Sequence, residues 1–279
     1  MSYIKYKEKY LKLKHLSESR NSRDVRSPEM DTTDILTSYR QLEFSGKSYI
    51  YAKIDITDEE VQILDALKIN DEEDFDYMGI LKPNLEYQVI EYFKLLGNSA
   101  SESQTVAKLI YDKIAMQYLN AVNAEALWIT IRPMFPNTRY NTPRWHYDGY
   151  FYDGEYNMEN DIFQTKLAIA LKGPQTVFKQ DSEGMRQSYW KSEELIASTR
   201  SDSKYVESNK QKIDEGLKSY PNSQAPEKHV AIFVVGSNKR AAIHSEPPIH
   251  EPRLFMSIVA GTSRNIKDLA DRWDKNFNL

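Results

Sequence analysis

Cysteine is absent from this chain of 279 residues. Disulfide scaffolds, thiol nucleophiles and zinc or iron–sulfur sites that need thiolate are thereby excluded, and a reducing compartment fits. No run reaches the ~18 uncharged apolar residues of a membrane span. The opening MSYIKYKEKYLKLKHL has a lysine every second or third residue and no apolar stretch of signal-peptide length, so a soluble, cytoplasmic protein is expected. Neither charge sign dominates: 37 basic against 41 acidic residues give a net −4. With 40% hydrophobic residues, that excludes a fully disordered chain and a polybasic nucleic-acid coat. A phosphate-cradling loop is missing, because GNSASESQ has no lysine after a second glycine. No Gly-x-Ser-x-Gly elbow is present either.

What is there divides into parts. Residues 1–34 read as a basic arm and linker, with eight Lys or Arg and three acids in the first 26 positions. Weak contact of this arm with nucleic acid or a partner is one reading, and a solvated tail is the other. Residues 35–279 read as one domain. Within it, 35–125 is mainly helical, after a strand at 48–56. Thr57 with Glu60 forms a capping box ahead of Val61, Ile63, Leu64 and Leu67. The acidic run Asp71, Glu72, Glu73, Asp74, Asp76 reads as a solvated loop. Helices follow from near Asn84 to Leu96 and from Ser99 or Ser101 onward.

From residue 126 the character changes. ALWITIRPMF, FQTKLAIALK, HVAIFVVGS and PRLFMSIVAG are short apolar or alternating runs bounded by Pro, Gly and Asn, and they read as strands. A polar insertion at 179–229 carries two helical stretches, and a closing helix falls in 263–279. Helices first and strands second predict an α+β chain with a sandwich or barrel core.

Five histidines are present: His15, His146, His229, His244 and His250. His146 and Asp148 form a His-x-Asp pair within RWHYDGYFYDG. His244 follows a strand, and Arg253 comes nine residues later at the head of another. Two neutral imidazoles and one carboxylate suit Fe(II) on one face of an octahedron and leave three positions open. Two of these can chelate a 2-oxo acid, and the third is left for dioxygen. The distal carboxylate of such an acid needs a fixed cation, and a guanidinium binds it bidentately. Ser257 shares a strand face with Arg253, since side chains alternate with period two. His15, His229 and His250 carry no such argument. Asp153 and Glu155 lack a histidine at the required spacing.

The pattern WHYDG … IHSEPPIHEPRLFMS resembles the Fe(II)/2-oxoglutarate-dependent dioxygenases, particularly their prolyl-hydroxylase-like branch. The resemblance spans roughly residues 126–262. It implies a double-stranded β-helix (jelly-roll) core with supporting N-terminal helices. It further implies that His146, Asp148 and His244 bind Fe(II), and that Arg253, assisted by Ser257, binds the 2-oxoglutarate co-substrate. The activity implied is hydroxylation of a C–H bond with dioxygen, giving succinate and carbon dioxide. Two features depart from the family pattern. The gap from His146 to His244 is long, so the insertion must loop out. The first core strand offers Arg132, Met134 and Phe135 where many members have a tyrosine, and Lys166 on the next strand rivals Arg253 as the carboxylate anchor.

Tyr147, Tyr150, Phe151, Tyr152 and Tyr156 could line an entrance or simply pack. Tyr189 and Trp190 of the insertion could belong to a lid. By analogy with the branch, the expected substrate is a peptidyl residue such as proline, with a small molecule or nucleotide left open. The acidic core argues against tight nucleic-acid binding. Two other readings remain: a non-catalytic jelly-roll binding or structural protein, and a cupin-like metal enzyme with no use for Arg253. The Lys-, Tyr-, Asn- and Ile-rich composition faintly resembles proteins of large AT-rich DNA viruses, among which jelly-roll coat proteins exist.

Overall fold

The structure is a computed structural model that describes residues 33–152, 162–198, 207–236 and 240–279. Residues 1–32 of the arm and linker, Asp153, Glu155 and Tyr156 lie outside the described residues.

Local signals set the helices. Helix α1 (Ile35–Ser45) starts where the Asp34 carboxylate accepts the Thr37 N–H at 2.7 Å, and it stops at left-handed Gly46. After strand β1 (Tyr49–Lys53), the expected capping box of Thr57 and Glu60 opens α2 (Asp58–Ala66). Helix α3 (Pro83–Leu95) begins on a proline and is followed by Gly97 at φ +97. Ser99 and Glu102 form a second capping box for α4 (Ala100–Lys108). The helix runs on through a π-helical stretch, Leu109–Ala115, into α5 (Met116–Val122).

One expectation is corrected here. The acidic run is not wholly a loop, because Asp76 lies in strand β2 (Phe75–Ile80). Its carboxylate accepts from Trp128 Nε1 at 2.9 Å and Thr130 Oγ1 at 3.1 Å across the strand pair. A carboxylate facing such donors need not stay in water, and that is why charge alone misread the segment.

The remaining strands are β3 (Ala126–Met134), β4 (Gln164–Lys172), β5 (Val177–Lys179), β6 (Asn222–Gln224), β7 (His229–Val235), β8 (His244–Ser245), β9 (Arg253–Gly261) and β10 (Phe277–Asn278). Helices α6 (Glu183–Ser198) and α7 (Glu207–Leu217) lie between β5 and β6, and α8 (Ser263–Arg272) follows β9. The short polar strand β6 falls inside the stretch read as insertion, and its Asn-Ser-Gln sequence gave no apolar alternation to mark it.

The strands form two sheets. The large one has the order β1-β7-β4-β9-β3-β2-β10, and the small one β6-β5-β8. His146 joins the small sheet through an antiparallel bridge to His244. From β3 the chain passes between sheets: β3 in the large, residue 146 in the small, β4 in the large, β5 and β6 in the small, β7 in the large, β8 in the small, β9 in the large. This alternation is a double-stranded β-helix, the jelly-roll core expected behind N-terminal helices.

The large sheet has two unlike faces. Leu127, Ile129 and Ile131 of β3, Leu167, Ile169 and Leu171 of β4, and Leu254, Met256 and Ile258 of β9 pack with Val89, Phe93, Val106 and Ile114 of the helices. The other face turns Ala168, Ala231, Phe233 and Val235 toward Phe178 of the small sheet. Phe178 and Phe233 meet edge to face at 5.4 Å between ring centroids. Among the described residues no helix is long and apolar enough to cross a membrane.

Candidate metal centre

Backbone pairing brings the two histidines together. The His146 N–H donates to the His244 carbonyl at 2.9 Å, and the His244 N–H donates back to His146 at 2.9 Å. Residues paired this way project their side chains to the same side, and the two rings lie 4.3 Å apart. Pro247 and Pro248 come one residue after β8 and keep it short, because proline offers no N–H to a ladder. Asp148, two residues beyond His146, returns to the same side. Its backbone carbonyl accepts the Gly236 N–H at 2.7 Å. Gly236 sits at φ +86, and a Cβ there would overlap the Tyr150 ring, so both its conformation and its space call for glycine.

One ligand atom from each of His146, Asp148 and His244 lies within 4.8 Å of the others. His146 Nε2 is 3.9 Å from Asp148 Oδ1, and His244 Nε2 is 3.9 Å from Asp148 Oδ2. The opposite ring nitrogens are committed. His146 Nδ1 is 2.7 Å from the Arg144 carbonyl, and His244 Nδ1 is 3.0 Å from the Ala242 carbonyl. A carbonyl only accepts, so both Nδ1 atoms carry the proton and both Nε2 atoms turn a lone pair to the centre. Burial pushes the His146 imidazole down to about 3, with the neighbouring His244 adding to the effect, and burial lowers His244 as well. Both rings are therefore neutral near pH 7. Burial alone would raise Asp148, but the Lys166 ammonium, His244 and His146 outweigh it and hold the carboxyl below the usual range. Two neutral imidazole donors and one ionised carboxylate fit a divalent transition metal, and this set with open positions suits Fe(II).

Arg253 is 1% exposed at the head of β9. Its Nε donates to the Pro174 carbonyl at 2.7 Å and its Nη2 to Thr176 Oγ1 at 3.2 Å, while Nη1 lies 3.0 Å from Met134 Sδ. The guanidinium rests 4.8 Å over the Phe255 ring. Burial lowers it to about 10, against the pull of Glu246 and Tyr140. Among the described residues no carboxylate forms a salt bridge with it. A buried cation in this state carries a desolvation cost that a nearby anion would offset. Ser257 is buried on the same face, opposite Thr130 and Ala168.

Lys166 goes elsewhere. Its ammonium donates to Asp148 Oδ2 at 3.0 Å, beside the histidines. Arg132 pairs with Asp74 at 3.4 Å, and exposed His250 lies in a loop. His229 Nδ1 bonds the Glu227 carbonyl at 2.7 Å. Tyr147 points away from the ligands and meets Trp190 at 5.1 Å and Tyr189 at 6.2 Å, which makes this part of the aromatic cluster packing.

Several partners of the site escaped the sequence reading. Arg144 and Glu246 form an ion pair, and burial of Glu246 is outweighed by His146 and Arg144, so its carboxyl falls to about 2. Each stands two residues from a ligand histidine, which is a signal period-two reasoning could have used. Trp145 Nε1 donates to Asp214 Oδ1 at 2.7 Å, and Lys179 lies 4.5 Å over the Trp145 ring. These contacts tie α7 of the insertion to the ligand segment. Thr176 carried no sequence signal, and Met134 stood out only as one of the residues where many members of the family have a tyrosine.

No family model matches the chain, and no curated protein matches it. Solved structures do. A prolyl-4-hydroxylase from Pseudomonas putida is similar at 10% identity and TM-score 0.41, over 86% of this chain and 97% of that one. HygX from Streptomyces hygroscopicus, with nickel and 2-oxoglutarate bound, is similar at 13% identity and TM-score 0.43, over 80% and 86%. A viral collagen prolyl hydroxylase from Paramecium bursaria Chlorella virus-1 is similar at 11% identity and TM-score 0.33, over 85% and 96%.

Proposed function

We propose that the chain is an Fe(II)- and 2-oxoglutarate-dependent dioxygenase that hydroxylates a C–H bond of a peptide or small-molecule substrate. The observation that carries this reading is a pair of features in one core: a neutral-His, ionised-Asp, neutral-His donor set and a buried guanidinium that has no carboxylate partner among the described residues. His146, Asp148 and His244 would hold the metal through Nε2, a carboxylate oxygen and Nε2. Arg253 would bind the distal carboxylate of the co-substrate, with Thr176 and Ser257 beside it. A metal site alone would leave the burial of Arg253 unexplained, which favours the oxygenase reading over a cupin-like one. A purely structural jelly roll would have no need of the convergence.

Fe(II) with 2-oxoglutarate and dioxygen supplies the oxidant that turns C–H into C–OH as the co-substrate becomes succinate and carbon dioxide. The chain's own part is binding and orientation. The Nδ1 bonds to the Arg144 and Ala242 carbonyls fix both ring tautomers. Burial makes both imidazolium forms more acidic and so keeps the rings unprotonated as lone-pair donors. Phe178 and Phe233 pack against the His244 ring at 5.7 and 4.8 Å between centroids and give the centre an apolar side.

The test is an anaerobic titration of the Fe(II) protein with 2-oxoglutarate, followed by the weak visible charge-transfer band of the chelate. The band should appear in the native chain, vanish in His146→Ala and need far more 2-oxoglutarate in Arg253→Ala. A native chain that retains no metal and gives no band would sink the oxygenase reading.

A further inference from the structure

Lys166 places a cation at a centre built to receive one. It projects from β4 into the space between the sheets, and its Nζ donates to Asp148 Oδ2 at 3.0 Å, 5.5 Å from the Phe151 ring centroid. Among the described residues Asp148 is its one carboxylate partner. The same carboxylate faces His146 Nε2 and His244 Nε2 at 3.9 Å each. A metal held by this triad must therefore share its only anionic ligand with an ammonium.

We propose that Lys166 makes retention of the metal depend on the dicarboxylate co-substrate. The inference rests on the oxygenase reading above. The charges make the case. A divalent ion with one carboxylate ligand keeps a single positive charge, and Lys166 and Arg253 add two more. Glu246 is already matched by Arg144. With no dicarboxylate present, metal and ammonium repel each other across a partly dry space, where such repulsion is weakly screened. A bound dianion offsets most of the excess. Metal and co-substrate then bind with positive coupling, and the coupling is reciprocal.

A different role would have Lys166 only orient Asp148, and removing it would then loosen the metal. The surroundings favour the charge role. The Asp148 backbone is already tied to Gly236, and the paired histidine backbones fix the segment before it. Lys166 thus acts on the metal through its charge beside Asp148 rather than by fixing that carboxylate in place.

The experiment uses the full chain and Mn(II) as the probe, with free Mn(II) read by electron paramagnetic resonance, with and without 2-oxoglutarate. Native protein, Lys166→Met and Lys166→Arg are compared, and each is melted thermally to show that it is folded. Lys166→Met should bind Mn(II) alone about tenfold more tightly than native protein, because the repelling charge is gone. Addition of 2-oxoglutarate should tighten Mn(II) binding several-fold less in Lys166→Met than in native protein, and Lys166→Arg should follow the native pattern. If the Met variant does not melt cooperatively, Lys166→Gln carries the same expectation. Equal or weaker Mn(II) binding in the charge-free variant, or an unchanged response to 2-oxoglutarate, overturns the proposal. Native protein that binds no Mn(II) at all overturns the metal reading beneath it.

Discussion

The two faces of the large sheet are made from the same strands and do opposite work. Along β9, Leu254, Met256 and Ile258 turn outward into an aliphatic layer under the helices, while Arg253, Phe255 and Ser257 turn inward. Along β4, Leu167 and Ile169 face outward, while Lys166 and Ala168 face inward. The outer face is bulky and apolar and supplies stability. The inner face is small, aromatic or charged and supplies the site. Period-two alternation lets one strand carry both, so the chemistry costs the core little.

The comparison breaks most sharply at the ligands. Asp148→Ala removes the only anionic donor of the triad, and Fe(II)-dependent conversion of 2-oxoglutarate to succinate should fall below detection. The outer core is untouched, so the melting midpoint should stay within a few degrees of the native value. A variant that still produces succinate would remove Asp148 from the centre. Arg253→Met comes next. Losing a buried charge-to-carboxylate contact should weaken 2-oxoglutarate binding about a hundredfold. Stability should hold or rise, because an apolar side chain replaces a buried cation with no carboxylate partner. Unchanged 2-oxoglutarate affinity in a titration of the Fe(II) protein would return Arg253 to a structural role.

Acidity gives a third, smaller effect. His146 is held at about 3 in the folded chain, against 6.5 when exposed. The unfolded chain therefore binds the extra proton between those values. Stability is complete above about pH 6.5 and is lost as the pH falls toward 3, by at most about 1.4 kcal/mol per pH unit for this one group. Glu246, lowered to about 2 from 4.5, acts in the same direction at the acid end of the window. Denaturant melts of the metal-free protein from pH 7 to pH 5 should show the slope, and His146→Asn should flatten it. A native slope that matches the variant's would mean that His146 is not buried neutral.

Most of this arrangement was legible before any coordinates. The capping box at Thr57, the helix start read at Ser99 or Ser101 and the glycine at position 97 are local signals, and the helices obeyed them, with the structure choosing Ser99 as the cap. The strands at 126, 163, 229 and 252 announced themselves as short apolar or alternating runs. His146, Asp148 and His244 stood out by their spacing among five histidines, and the structure brings one ligand atom of each within 4.8 Å of the others. Strand β2 was hidden by the acidic run that leads into its Asp76, and β6 by its lack of apolar residues. The partners of Arg253 were invisible for another reason. Thr176, Met134 and the Pro174 carbonyl are brought to it by tertiary folding, and nothing in their own residue types marks them. Lys166 was visible as a candidate cation, but its distance from either anion could not be read from spacing. The structure sets it against the ligand carboxylate.

The smallest prediction tests the outer face alone. Ile232 is fully buried on β7, paired with Ile50 of β1 and Leu167 of β4, and it packs into the layer under the helices. Ile232→Val removes one methylene and leaves a small gap there, which should cost about 1 kcal/mol of unfolding free energy. The neighbours Ala231 and Phe233 point the other way, toward Phe178 and the histidines. The backbone between them is fixed on both sides by β1 and β4. Mn(II) and 2-oxoglutarate affinities should therefore be unchanged while the urea midpoint falls. A variant that loses metal affinity along with stability would mean that the two faces are mechanically coupled, and that the aliphatic layer sets the position of the site as well as the stability of the fold.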